Sequence, residues 1–477
     1  MSLKKNFIYN VLYQILTLIL PIITVPYISR VLGPRGVGDY SYSASYAQYF
    51  VLIGMIGIAL YGNREIACVK NNRKLLSKEF WNIYMLQFIT TIIAFFIYII
   101  FFVFINNVNK HLYLIQSIII CTSIFDISWF YIGYEDMKSV VTRNTIVKFI
   151  GVILIFVFVK KETDVNLYAF IMASSSLVGQ ISMWFYLKDK IDFYKPSLKC
   201  ALKHLIPSLG LFISQLAIQI YTLLDKTMLG FMTGVYEVGL YDNSQKTIKL
   251  ALMLITSLGI IMLPRMSSLY SQGKKDEFNI LIYKAFSFVN FMAFPMIMGL
   301  ISISNTFSLW FYGEAFNGIE VLLKIGAMLM IFIGWSNILG IQVMIPMKKE
   351  RQFTISVTIG AIVNFILNLF LIKEFQAVGT TLASVIAEFS VTVTQLYFLK
   401  ELIDIKSILK STIKPLIGAM VMFIALIFII PMFKVGVFWT FLEVAIGGGI
   451  YLIVMYILKD SFLEEGFNIV KTKFLKR

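Results

Sequence analysis

The sequence predicts an all-α integral membrane protein of about fourteen transmembrane helices, and three observations carry that prediction. First, 58% of the 477 residues are hydrophobic and only 14% are charged, against about 25% charged in an ordinary soluble domain; mean hydropathy is +0.81. A soluble enzyme is excluded. Second, at about 20 apolar residues per crossing the chain holds material for roughly 14 spans and little else. Third, cutting at the charge clusters leaves fourteen apolar segments, 6–30, 40–62, 80–106, 112–134, 143–160, 165–187, 204–230, 241–264, 285–312, 324–347, 352–372, 377–398, 413–433 and 435–458. The first follows Lys4 and Lys5, is longer than a signal-peptide core and lacks a small-x-small cleavage site, so it reads as a retained helix.

An even number of crossings returns both termini to one side. The basic ends (Lys4, Lys5; Lys471, Lys473, Lys476, Arg477) assign that side to the cytoplasm, and most of the 42 Lys and Arg fall on it. The net charge of +16 therefore reports topology and contact with anionic membrane lipid; no nucleic-acid partner is expected. The longest connections, 63–79, 188–203, 265–284 and 399–412, are all on the cytoplasmic side, which leaves no soluble domain for a separate activity. Cys68, Cys121 and Cys200 are far apart and the only histidines are His111 and His204, so structural metal, haem and a disulfide framework are not expected and no cofactor is assigned.

The chain repeats itself after about two hundred residues. Leu32-Gly33, Val37-Gly38-Asp39-Tyr40 and Ser43 are echoed by Leu229-Gly230, Val238-Gly239-Leu240-Tyr241 and Ser244. Gly57-Ile58, Arg64 and Glu79-Phe80 are echoed by Gly259-Ile260, Arg265 and Glu277-Phe278. Two six-helix bundles in the same orientation follow, residues 1–200 and 201–402, with two further helices and a basic tail in 403–477. Parallel repeats about an axis normal to the membrane are a transporter architecture.

Ionisable groups in a membrane are costly and are functional candidates by default. Only 11 residues separate Lys148 from Lys160 and only 15 separate Lys249 from Arg265, both short of a span, so Lys148, Lys249 and with it Lys246 are drawn into the membrane. Snorkelling to the headgroups is the competing reading. Arg30 and Lys226 lie at the outer ends of their segments, where an interfacial anchor is an equal alternative. Glu388, Asp126 and Asp225 are candidates for carrying H+ or Na+, or for pairing structurally with a lysine. Neutral polar residues form stripes: Asn10, Gln14, Thr17, Pro21 and Thr24 on the first segment, Gln215, Gln219, Thr222 and Lys226 on the seventh, each at steps of three and four that line one helix face. These stripes read either as helix–helix hydrogen bonding or as two walls of one polar cavity.

Pro26-Tyr27-Ile28-Ser29-Arg30-Val31-Leu32-Gly33 with Gly36-Val37-Gly38-Asp39-Tyr40, then Tyr61-Gly62-Asn63-Arg64-Glu65-Ile66-Ala67, resembles the N-terminal signature of Wzx-type oligosaccharide flippases. Asp126-Ile127-Ser128-Trp129-Phe130 with Gly133-Tyr134-Glu135, Leu224-Asp225-Lys226-Thr227-Met228-Leu229-Gly230 and Leu263-Pro264-Arg265 extend the resemblance over nearly the whole chain. These flippases belong to the multidrug/oligosaccharidyl-lipid/polysaccharide exporter (MOP) superfamily. The resemblance implies a MATE-like, V-shaped pair of bundles around a central cavity. It also implies export of undecaprenyl-diphosphate-linked oligosaccharide repeat units from the inner to the outer leaflet of a bacterial plasma membrane, for capsule, exopolysaccharide or O-antigen. The polymerase and chain-length machinery of the same pathway are the implied partners. On this reading Arg30, Lys148, Lys226, Lys246 and Lys249 form a cationic cavity for the diphosphate, Asn10, Gln14, Thr17, Gln215 and Gln219 line it, and Asp126, Asp225 and Glu388 serve cation-coupled alternating access. The rivals are a drug or cation antiporter of the same superfamily, which favours an acidic aromatic pocket, and a membrane polysaccharide polymerase, which favours a large external loop.

Overall fold

The computed structural model describes residues 3–105, 109–460 and 462–464. Among them every regular element is a helix: α1 (Leu3–Met55), α2 (Ile58–Val69), α3 (Arg73–Ile99), α4 (Lys110–Ile124), α5 (Ser128–Gly133), α6 (Met137–Phe158), α7 (Val165–Phe185), α8 (Leu198–Lys203), α9 (Leu205–Thr233), α10 (Val235–Ser271), α11 (Lys275–Phe311), α12 (Ile319–Gly326), α13 (Leu329–Ser336), α14 (Glu350–Phe398), α15 (Ile405–Ile429) and α16 (Val437–Ile457). The protein is an all-helical, multi-pass membrane protein. Nine helical stretches among the described residues are long and apolar enough to cross a membrane, ten if a bent pair in α10 is joined. At 1.5 Å per residue, α1 and α14, with 53 and 49 residues, each have the length of two crossings of a hydrocarbon core about 30 Å thick.

Both long helices break inside predicted connections. In α1 the break is at Gly33 (φ 64°), between segments 6–30 and 40–62. In α14 it is at Gln376 (φ 51°), between 352–372 and 377–398; a non-glycine residue at positive φ is strained and is held there by its surroundings. Segment 112–134 departs from the prediction by splitting into α4 and α5 around Phe125-Asp126-Ile127. Its freed backbone groups are satisfied by side chains. Buried Gln87 donates through Nε2 to the carbonyls of Ser123 (2.7 Å) and Asp126 (2.8 Å) and accepts from Trp129 Nε1 (2.9 Å), while Asp126 Oδ1 accepts from Ser128 N (2.9 Å) and Oγ (2.6 Å). In hydrocarbon such satisfaction is obligatory.

The chain forms two compact units, Met1–Gly239 and Leu240–Arg477. In the first, α9 packs on α1 and α2, and α4 packs on α7 and α1. Its core gathers Phe80, Trp129, Phe130 and Tyr131, all essentially inaccessible. The two repeat-related glycines meet here: a Cβ on Gly38 would lie 1.7 Å from the Val235 carbonyl oxygen, and one on Gly239 would lie 2.0 Å from that of Pro34. No other residue fits at that crossing. A Cβ on Gly62 would overlap the Trp129 ring at 2.5 Å, and one on Gly133 would strike the Asn63 carbonyl at 2.5 Å, so two of the signature stretches lock against each other by packing.

In the second unit α11 is the hub, contacting α12, α13, α15 and α16. Segment 324–347 is built from α12, α13 and a π-helical stretch, Asn337–Met344. Two helix starts on the loops carry side-chain caps: Asn72 Oδ1 accepts from Lys74 N and Leu75 N at the start of α3, and Asp404 accepts from Lys406 N (3.0 Å) and Ser407 Oγ (2.6 Å) at the start of α15. Those bonds hold the Asp404 carboxyl below the usual carboxylate range.

Candidate functional site

Lys148 is the twelfth of the 22 residues of α6, so neither end of the helix is close to its backbone. The lysine lines a cleft of about 240 Å³ within the first unit, formed by α1, α6 and α7. Around it stand Pro21 and Thr24 of α1 and Tyr168, Ser175 and Ser176 of α7. Pro21 and Pro26 each remove a backbone donor from α1, and a Cβ on Gly151 would meet Ser175 Oγ at 3.4 Å, an ordinary contact. The C-terminal end of α6 is pinned by Tyr27 OH donating to the Val159 carbonyl at 2.7 Å. Beyond it, Asp164 Oδ2 accepts from Lys160 N and Lys161 N, both at 2.8 Å, which holds that carboxyl below its ordinary range.

The described lining of this cleft has one cation, four hydroxyl-bearing side chains and no carboxylate. Such a set can hold an oxyanion: the ammonium supplies charge and up to three donors, and charge-assisted bonds to phosphate oxygens are about twice as strong as neutral ones.

Lys148 is exposed, whereas Lys246 of the second unit is half-buried beside an acid. Asp242 of α10 is 2% exposed, and its Oδ2 lies 2.7 Å from Lys246 Nζ, one turn along the helix. Lys246 is therefore not a bare cation, and much of its field is cancelled where it arises. Tyr312 OH donates to the neighbouring Asn243 carbonyl at 3.1 Å and pairs with Thr247. Lys249 lies on the same helix and is exposed.

Of the remaining sequence candidates, Arg30 is exposed on α1, Lys226 is half-buried on α9, and Asp225 beside it is 1% exposed. Glu388 is buried in α14 at 7% exposure. Asp126 accepts from Ser128 at the start of α5. Gln219 is exposed on α9. The side chains of Asn10, Gln14, Thr17 and Gln215 lie outside the described residues. The structure thus joins Lys148 to the inner part of the first polar stripe, Pro21 and Thr24, within one cleft, and adds Tyr168, Ser175 and Ser176, which carry no charge and no periodic signal in the sequence. It also adds two acids that the sequence reading passed over, Asp242 and Glu443. Asp242 was legible from its i, i+4 spacing to Lys246; Glu443, 1% exposed in α16, is a buried intramembrane acid as Glu388 is. The Tyr61 motif holds a separate polar contact, Tyr61 OH to His204 Nδ1 at 2.7 Å, with His204 Nε2 3.4 Å from Glu79.

Comparison with known proteins agrees with this architecture. The family model described as "Polysaccharide biosynthesis protein" matches residues 3–270. A protein of Escherichia coli (strain K12) named "Putative O-antigen transporter" is 26% identical over 409 residues, 84% of this chain and 97% of its own length. Among solved structures, the lipid II flippase MurJ in an inward closed conformation superposes with a TM-score of 0.72 at 19% identity, covering 95% of this chain and 98% of that one. An inward-facing multidrug resistance MATE family transporter superposes with a TM-score of 0.61 at 13% identity, covering 82% and 99%. With more than half of its residues matched by one family model, the chain belongs to the polysaccharide biosynthesis protein family and has the fold of the MOP superfamily transporters.

Proposed function

We propose that the protein is a lipid-linked oligosaccharide flippase that carries undecaprenyl-diphosphate-linked repeat units from the inner to the outer leaflet of a bacterial plasma membrane, with both termini cytoplasmic. It is a transporter, not an enzyme. The observation that carries this reading is the Lys148 cleft, a cation at mid-helix amid hydroxyls with no carboxylate in its described lining. A diphosphate head with about two negative charges and hydrated sugars cannot enter hydrocarbon unaided, because each desolvated charge must be paired. Lys148 and its hydroxyls replace that hydration, while the prenyl tail stays in lipid. Arg30, Lys226, Lys246 and Lys249 add positive charge along α1, α9 and α10, with Lys246 reduced by Asp242. The buried carboxylates Asp225 and Glu388 are the groups we assign to H+ or Na+ coupling; Asp126 has its Oδ1 engaged by Ser128. The internal repeat supports reading 1–200 and 201–402 as duplicated halves, with 403–477 appended. The O-antigen transporter and lipid II flippase relatives favour the polysaccharide pathway over drug export, and a cationic cleft is the wrong sign for cationic drugs.

In a strain lacking the gene, the wild-type chain should restore surface polysaccharide. Lys148→Ala, present at equal levels in the membrane, should not, and Lys148→Arg should restore it in part. Normal polysaccharide with Lys148→Ala would remove the cleft from the transport path.

A further inference from the structure

A second pocket, within the other unit, is not used by the proposed transport cycle. It has a volume of about 290 Å³ and lies between α10, α11, α13, α15 and α16. Its lining is apolar apart from Thr247 and one acid, Glu443. Methionines 296, 330 and 422 supply soft, adaptable walls. Gly299 and Gly448 keep it open: a Cβ on Gly448 would meet no atom within 4 Å, and one on Gly299 would meet only the end of Met422 at 3.8 Å.

Glu443 is 1% exposed. Its carboxyl group hydrogen-bonds the Thr306 hydroxyl, and the adjacent Thr440 is already occupied by Trp310 Nε1 at 2.8 Å. Glu443 Oε2 is buried and has no hydrogen-bond partner. No Lys, Arg or His is among the described residues lining the pocket. A buried acceptor without a donor is costly, and a buried carboxylate without a countercharge more so. Oε2 lacks a donor, and the space beside it is apolar.

We propose that this pocket is a binding site for a lipophilic monocation, an apolar body bearing one protonated amine, with the ammonium donating to Glu443 Oε2 and the body seated among the methionines and glycines. The volume sets its size. An engineered apolar cavity of about 150 Å³ takes benzene, so about 290 Å³ takes a body of roughly ten to twelve carbons. The site is opposite in sign to the Lys148 cleft and selects a different class of molecule.

The test uses the full chain in lipid nanodiscs with tritiated 1-adamantylamine as the probe. Saturable binding of one equivalent is expected, displaced by unlabelled amine but not by 1-adamantanol, the neutral molecule of the same shape. Glu443→Gln keeps the shape of the side chain and Gly448→Leu fills the open space; each should weaken binding at least tenfold while eluting and melting as the wild type does. Three results would each overturn the proposal: no saturable binding, unchanged affinity in either variant, or equal displacement by the alcohol, which would mark an apolar or lipid-chain pocket that does not read charge.

Discussion

Lys148 in the first unit and Lys246 in the second are both lysines drawn into apolar helices, yet the side chains described around them differ. Lys148 lines a cleft of hydroxyls with no carboxylate in its described lining. Lys246 sits 2.7 Å from buried Asp242. A cation paired one turn away contributes little field at a distance, because the pair presents a dipole and not a charge. Position in the membrane nominates a residue, and its neighbouring side chains set the chemistry it can do. The same lesson holds for the acids: Asp242 has a lysine, whereas Glu443 Oε2 has no partner.

Four predictions sharpen or break this contrast. The largest effect is expected for Gly38→Ala in the first unit, whose Cβ would fall 1.7 Å from the Val235 carbonyl; folded protein should be lost from the membrane, whereas Gly448→Ala in the second unit should accumulate normally. Lys148→Ala comes next. Losing a hydrogen bond to a charged group costs about 1.5–3 kcal/mol, so transport should fall by roughly 10–150-fold at unchanged protein level, read as lipid-linked repeat unit reaching the outer leaflet.

Lys246→Met should act mainly through stability, because it strands Asp242. Stranding a buried carboxylate costs more than the roughly 1–3 kcal/mol of a neutral group, seen as a lower melting temperature in detergent. The double variant Asp242→Leu with Lys246→Met should recover most of it. If Lys246→Met instead stops transport at unchanged stability and the double variant does not recover, the two lysines are equivalent and the contrast fails.

The smallest effect separates the two helix caps. Asn72 caps α3 with a neutral amide, while Asp404 caps α15 with a carboxylate held below its usual range by Ser407 and the Lys406 amide. A lowered folded-state pKa means that the cap's contribution is complete above the unfolded value, about 3.9, and is lost as pH falls below it. The melting-temperature difference between wild type and Asp404→Ala should therefore shrink below about pH 4, while that for Asn72→Ala should not change with pH.

Much of the architecture was legible because lipid imposes simple rules. Apolar length marked the helices, and charge clusters placed the breaks at Gly33 and Gln376 within predicted connections. The split at Asp126 was not legible, since it depends on Gln87, 36 residues or more away from the carbonyls it satisfies. Spacing alone brought Lys148 into the membrane, but Tyr168, Ser175 and Ser176 are ordinary polar residues until α7 packs on α6. Asp242 and Glu443 carried a local signal that the emphasis on cations obscured.

The central claim is transport of a lipid-linked anion, and leaflet-resolved measurement of that lipid tests it most directly. In a strain lacking this gene but holding the rest of the pathway, lipid-linked repeat units should accumulate on the cytoplasmic leaflet, beyond the reach of an external glycan-labelling reagent. Expression of the wild-type chain should bring them within reach, and expression of Lys148→Ala should not. Units that stay labelled from outside and unpolymerised in the deletion strain would contradict the account and place the protein at polymerisation.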